Sequence, residues 1–181
     1  MNDQLEFDHP GLVRIEHPAV LSDDKVYRYE LRRRWGPGML LEWVMLNPST
    51  ADADNDDPTI RRCISFAKAW GYDGIRVTNL FAYRATKPAN LLTADDPFGP
   101  DNNTFLRAAE GPLTIVGWGT HRIVARRGEG RRPWSGLFDR ATPLQCLGYC
   151  ADGSPKHPLF IPATSTRLPW PKPEPKPEPQ S

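Results

Sequence analysis

The 181-residue chain has only three cysteines, Cys63, Cys146 and Cys150. An odd number without a Cys-x-x-Cys pair excludes a disulfide-stapled scaffold and a paired-cysteine zinc module. Cys146 and Cys150 have only His157 near them as a further ligand, so neither a metal nor another cofactor is expected. Excess charge is also missing. Lys plus Arg number 23 and Asp plus Glu 22, a formal net charge of +1, which excludes a histone-like polycation and confines any nucleic-acid affinity to local arginine clusters. No apolar run approaches the ~18 residues that a membrane span needs. The opening MNDQLEFDHP is acidic and has neither a basic nor an apolar region, so no signal peptide is expected; with free thiols, this makes the cytoplasm the expected location. Core material is plentiful, with 39% apolar residues and six tryptophans in a length that suits one domain.

The last eleven residues, PKPEPKPEPQS, repeat Pro-Lys-Pro-Glu without an apolar side chain. They predict a solvated polyproline-type tail whose charges cancel. One domain over residues 1–169 and a disordered tail over 170–181 are expected. Residues 26–34 (VYRYELRRR) alternate and are rich in strand formers. Residues 39–46 (MLLEWVML) are a nearly continuous apolar run after the turn signal Gly36-Pro37-Gly38, and the two segments predict an N-terminal β-hairpin whose second member is a buried strand.

Residues 59–70 carry Ile60, Cys63, Ile64, Ala67 and Trp70 at helical spacing, with Gly71 as the stop. Residues 74–81, 113–118 and 144–149 predict further strands, the first two preceded by helix-forming sequence. Alternating strand and helix implies parallel strands joined by right-handed crossovers. The expectation is a three-layer α/β/α sandwich around a central, mostly parallel four-stranded sheet. In such sheets ligands sit outside the carboxyl ends of the strands. Asn47, Asn79, Trp118 to His121 and His157 all fall at those ends, which predicts one shared site.

Asn47 precedes Pro48, whose ring pushes it to an extended geometry. Its carboxamide either orients a water from the sheet edge or caps the loop at Ser49 and Thr50. Asp52, Asp54, Asp56 and Asp57 crowd the following loop; Asp57 suits the N-cap of a helix opening at Pro58, and one of these acids can also supply a carboxylate to the site. Asn79 either pairs with the edge of a base or other planar heterocycle or forms a turn, and Arg84 follows one short loop later. Arg122, Arg126, Arg127, Arg131 and Arg132 form a cluster suited to phosphate contacts or to an exposed basic surface.

Residues 45–52 (MLNPSTAD), 56–62 (DDPTIRR), 78–86 (TNLFAYRAT) and 157–159 (HPL) resemble the DUF1643 family of bacterial and phage proteins over roughly residues 27–162. The order of these motifs is similar, more distantly, to that of the uracil-DNA glycosylase superfamily. That likeness implies a uracil-DNA glycosylase-like fold and hydrolysis of the N-glycosidic bond of a flipped nucleotide, leaving an abasic site in DNA. It implies that the strand-end motif Asn47-Pro48 positions the hydrolytic water, helped by an acid of residues 52–57 with Asp57 as the candidate, and that Pro48 and Ser49 contact the substrate. Asn79, with Arg84 nearby, reads the base. Gly117-Trp118-Gly119 corresponds to a Leu-Trp-Gly strand, and His157 stabilises the departing base. The matching loop departs from His-Pro-Ser at Leu159, which leaves Leu159 or Phe160 as the wedge that fills the vacated stack.

The expected partner is duplex DNA with a modified base, with work on phage DNA in antiphage defence as the implied setting. No lysine is expected beside the strand ends, which disfavours a Schiff-base lyase. Two alternatives stand beside this reading. One is a hydrolase of free modified nucleotides, with the loop at 52–57 binding Mg²⁺. The other is a non-catalytic nucleic-acid-binding module, which Asn47 in place of an acid keeps open.

Overall fold

The computed structural model describes residues 6–9, 12–14, 19–49, 56–126 and 134–171, the first two stretches and residues 125–126 as backbone only. The strands are β1 (Glu6–His9), β2 (Leu12–Arg14), β3 (Ala19–Leu21), β4 (Arg28–Arg34), β5 (Leu40–Met45), β6 (Gly74–Asn79), β7 (Thr114–Val116), β8 (Leu144–Cys146) and β9 (Leu168–Pro169). The helices are α1 (Pro58–Ala69), α2 (Asn102–Arg107) and α3 (Arg122–Arg126), with short 3₁₀ turns at Pro88–Leu92, Ser135–Asp139 and Pro158–Phe160. One nine-stranded sheet results, in the order β1-β2-β4-β6-β5-β7-β8-β9, with β3 also paired to β4.

β5 and β6 are buried at every position, as strands covered on both faces must be. Successive side chains point to opposite faces. Trp43 and Ile75 therefore pack with Ile60, Cys63 and Phe66 of α1, whereas Val44 and Val116 pack with Leu106, Ile123 and Leu137 on the other side. The chain is thus a mixed α/β protein with helices on both faces of the sheet. α1 starts where Asp57 accepts from Ile60 N at 2.8 Å and Pro58 fills the first turn, and it ends at Gly71, which takes φ +76°. No described helix is long and apolar enough to cross a membrane.

The four strands expected from the sequence form the parallel group β6-β5-β7-β8, but the sheet is not four-stranded. The strands that were missed are outlying segments of two to four residues, too short to display alternation. The hairpin expected between residues 26–34 and 39–46 does not form. β6 lies between the two segments, antiparallel to β4 and parallel to β5. Gly74 explains how it fits: a Cβ there would meet the Leu40 side chain at 2.4 Å and Arg33 O at 2.7 Å, so only glycine lets β6 begin between its neighbours. The Gly36-Pro37-Gly38 link crosses that start and is clamped by Asp73, whose carboxylate accepts from Gly38 N at 2.7 Å. An N-terminal hairpin exists elsewhere, as β1 against β2.

At the other end, β9 pairs with β8, and Trp170 is 8% exposed with its ring edge-on to Trp118 at 4.9 Å. The packed domain therefore runs through Trp170, one residue past the expected limit of 169. Residues 172–181 of the expected tail lie outside the described residues.

Candidate active site

The connections after β5 and β7 leave the sheet toward opposite faces, the first to α1 and the second to α3. A crevice opens between them at the carboxyl ends of the parallel strands, where an open sheet cannot be closed by its own crossovers. It is a cavity of about 720 Å³, the size of many small-molecule sites. Asn47, Ser49, Asp57, Asn79, Trp118, His157, Leu159 and Phe160 all line it, so the residues expected at the strand ends are brought to one cavity.

Asp57 combines two tasks. Its Oδ1 caps α1, and its Oδ2 accepts from Ser49 Oγ at 3.0 Å. A carboxylate keeps further acceptor positions beyond these two, so Asp57 can also hold a water in the cleft. Asp56 is committed elsewhere, to Arg33 Nε at 2.8 Å. Asp52 and Asp54 lie outside the described residues, among which no group of three or more His, Cys, Asp or Glu is arranged to hold a metal.

The Asn47 amide nitrogen donates to Pro48 O at 3.0 Å and Ala85 O at 2.8 Å, and Ala85 N donates to Pro48 O at 3.0 Å. These bonds stitch the exit of β5 to the exit of β6 and leave the side-chain oxygen of Asn47 as its group for the cleft. Pro48 itself is buried behind the wall and supplies only this carbonyl. Asn79 differs. It is 2% exposed, yet its carboxamide has no hydrogen-bond partner among the described residues, while Asn102 Nδ2 holds its backbone carbonyl at 3.0 Å. A buried amide with unused donors and acceptor at a cavity wall suits the edge of a planar heterocycle.

His157 Nδ1 accepts from Leu159 N at 3.3 Å, which leaves Nε2 as the donor of the neutral ring. Burial pushes its pKa below the ordinary 6.5, against the opposing pull of Asp57, so the neutral form prevails at pH 7. Its loop is braced by Gly119 N donating to Pro155 O at 2.9 Å and by Arg62 donating to Ile161 O. Gly117 eases that fit, since a Cβ there would stand 3.0 Å from Pro158, a tight contact. His121, also lining the cavity, repeats the arrangement: its Nδ1 accepts from Ile123 N at 3.3 Å and burial lowers its pKa. Trp118 forms a wall fixed by stacking on Trp134 at 6.0 Å. At the mouth, Leu159 is exposed and Phe160 is 81% exposed.

Arg84 does not line the cleft; its Nη1 donates to Lys25 O at 2.9 Å. Arg122 is exposed on α3 and also lies off the cleft lining, Arg126 is described by backbone alone, and Arg127, Arg131 and Arg132 fall outside the described residues. Two lining residues correct the sequence reading. Lys156 lines the cavity, so a lysine does stand beside the strand ends, brought there by the backbone pairing of Lys156 N with Gly148 O at 2.9 Å. Arg28 lines it as well, although alternation in VYRYELRRR gives no reason to turn that arginine inward. The only signal for it is its place between Tyr27 and Tyr29 at the start of a strand.

The family model described as a protein of unknown function (DUF1643) matches residues 28–159. The chain belongs to the DUF1643 family. The matched DUF1643 segment begins at Arg28 and ends at Leu159, so it holds the whole parallel group and all the cleft residues named above except Phe160, while β1 to β3 and β9 lie outside it. No curated protein and no solved structure matches the chain.

Proposed function

We propose that this DUF1643 protein hydrolyses the N-glycosidic bond of a modified nucleotide in DNA and leaves an abasic site. One observation carries the reading: a carboxylate, Asp57, and a neutral imidazole, His157, line the same cleft as the unpartnered carboxamide of Asn79. The order of the strand-end motifs, similar to that of the uracil-DNA glycosylase superfamily, supports it. A base stacked in a duplex cannot reach such a cleft, so the nucleotide is flipped in, and Leu159 or Phe160 at the mouth fills the gap.

A water held by Asp57 and the Asn47 side-chain oxygen attacks C1′ of the sugar. The C1′–N bond breaks with its electron pair passing to the base, Asp57 takes the proton of the water, and His157 Nε2–H donates to the departing base anion. Asn79 bonds the edge of the base against the wall formed by Trp118. Arg122 and the arginines that follow it bind backbone phosphates, and modified phage DNA is the target that gives the activity a defensive use.

The test is single-turnover formation of abasic sites on phage DNAs carrying different base modifications, read by alkaline strand cleavage. Cleavage at modified positions, lost in Asp57→Asn and His157→Ala, is the expected result, and full activity in both variants removes the assignment. Arg28 inside the cleft favours a second reading, hydrolysis of free modified nucleotides. Base release from mononucleotides but not from DNA would select it.

A further inference from the structure

We propose that Arg28 makes the inner wall of the cleft an oxyanion-binding site, so that the substrate presents a phosphate or a carboxylate inside the cavity. This rests on the cleft being the substrate site and not on any particular bond being cut there.

Arg28 opens β4, where its backbone N donates to Ala82 O at 2.9 Å. Its side chain lines the cavity while only 5% of the residue is exposed, its Nε has no hydrogen-bond partner, and among the described residues its guanidinium forms no ion pair. Arg32, Arg33, Arg76 and Arg140 in the same sheet region are all partnered by carboxylates. Asp57 attracts Arg28 from beyond ion-pair distance, and its oxygens already accept from Ile60 N and Ser49 Oγ. Arg84 and Arg33 add positive charge nearby. Burial and these neighbours bring the Arg28 pKa down to about 10, so it is still a cation at pH 7.

A guanidinium presents donors in a planar fork that matches two oxygens of a phosphate or carboxylate. Asn79, on the strand paired with β4, offers neutral donors and an acceptor beside it. Together they select a ligand with an oxyanion near a planar polar edge. Two sources supply that chemistry: the phosphate of the nucleotide, or an acidic substituent on the base.

Calorimetric titration of the full chain with deoxycytidine, its 5′-monophosphate and 5-carboxy-deoxycytidine separates them. One charged ligand is expected to bind roughly 10- to 100-fold more tightly than the neutral nucleoside, the range of a charge-assisted hydrogen-bonded contact. Preference for the monophosphate identifies the first source and preference for the carboxylated base the second; either disappears in Arg28→Met and is partly kept in Arg28→Lys. Equal affinity for all three ligands, or a preference unchanged in Arg28→Met, overturns the proposal. Should the variants fold poorly, the unaltered protein still decides. Phosphate or acetate is expected to raise its melting temperature above that in chloride of equal ionic strength, and no rise with either overturns the site. None of these measurements involves bond cleavage, so they stand apart from the failure or success of base release.

Discussion

Buried arginines occur in two contrasting settings in this molecule. Beneath α2, Arg76 and Arg140 converge on Glu42, each with Nη1 at 2.9 Å from the same carboxylate oxygen. Arg76 also pairs with Glu30, and the other donors of the two arginines reach backbone carbonyls, among them Ala108 O at 3.0 Å and Phe105 O at 3.2 Å. The second oxygen of Glu42 accepts from Glu110 N at 2.8 Å and Gly111 N at 3.1 Å. At the cleft, Arg28 is just as deeply buried and has none of this among the described residues. A buried charge is tolerable when its hydrogen-bonding groups are used; left open, it costs stability that only a ligand can offset. The saturated set holds the sheet to its helices, and the open one marks where the molecule expects something to bind.

Breaking the saturated set has the largest expected effect. Glu42→Gln leaves Arg76 and Arg140 without their shared carboxylate and should cost about 3–5 kcal/mol in urea unfolding. A loss below ~1 kcal/mol would show that the network is no more than an exposed pair in effect. At the cleft the effect should move from stability to rate. Asp57→Asn keeps a residue equally able to cap α1, so folding should hold, while single-turnover base release falls by ~10²–10⁴-fold. A large drop in melting temperature without a change in rate would reverse that division.

The sharpest contrast is one of sign. Arg28→Met removes a cation that has no ion-pair partner among the described residues and should leave the protein unchanged or stabilise it by up to about 3 kcal/mol in ligand-free buffer, the opposite of Glu42→Gln. Clear destabilisation would mean that Arg28 is satisfied within the fold.

The smallest effect concerns pH. The His157 pKa is lowered on folding from 6.5, so the folded state binds fewer protons than the unfolded state below that value. Stability should therefore be flat above about pH 6.5 and decline as the pH falls toward the folded-state value. Urea midpoints taken across pH 5–8 in His157→Gln should show a shallower decline, with a residue of slope from His121, which burial shifts the same way.

The sequence by itself determined the features that are local. The apolar run at 39–46, Asp57 before Pro58 and Gly71 after Trp70 specify a buried strand and a capped helix through neighbours only a few residues away. Strand ends rich in Asn and His then marked one side of a parallel sheet, because each parallel strand delivers its carboxyl end to the same edge. What needed the tertiary structure was every choice between distant partners. β6 inserts between β4 and β5 because Gly74 admits close backbone approach, a condition that no hairpin signal at residues 36–38 can register. The three-residue strands β2 and β3 join the sheet through β4, β2 with β1 on its other side, and have too few residues for a periodicity of their own. The arginines make the same point about function. VYRYELRRR reads as one alternating charged strand, yet folding pairs Arg32 and Arg33 with acids far along the chain and leaves Arg28 facing the cleft. Whether a buried charge is structural or waits for a ligand depends on which acceptors come within reach, and only the three-dimensional arrangement sets that.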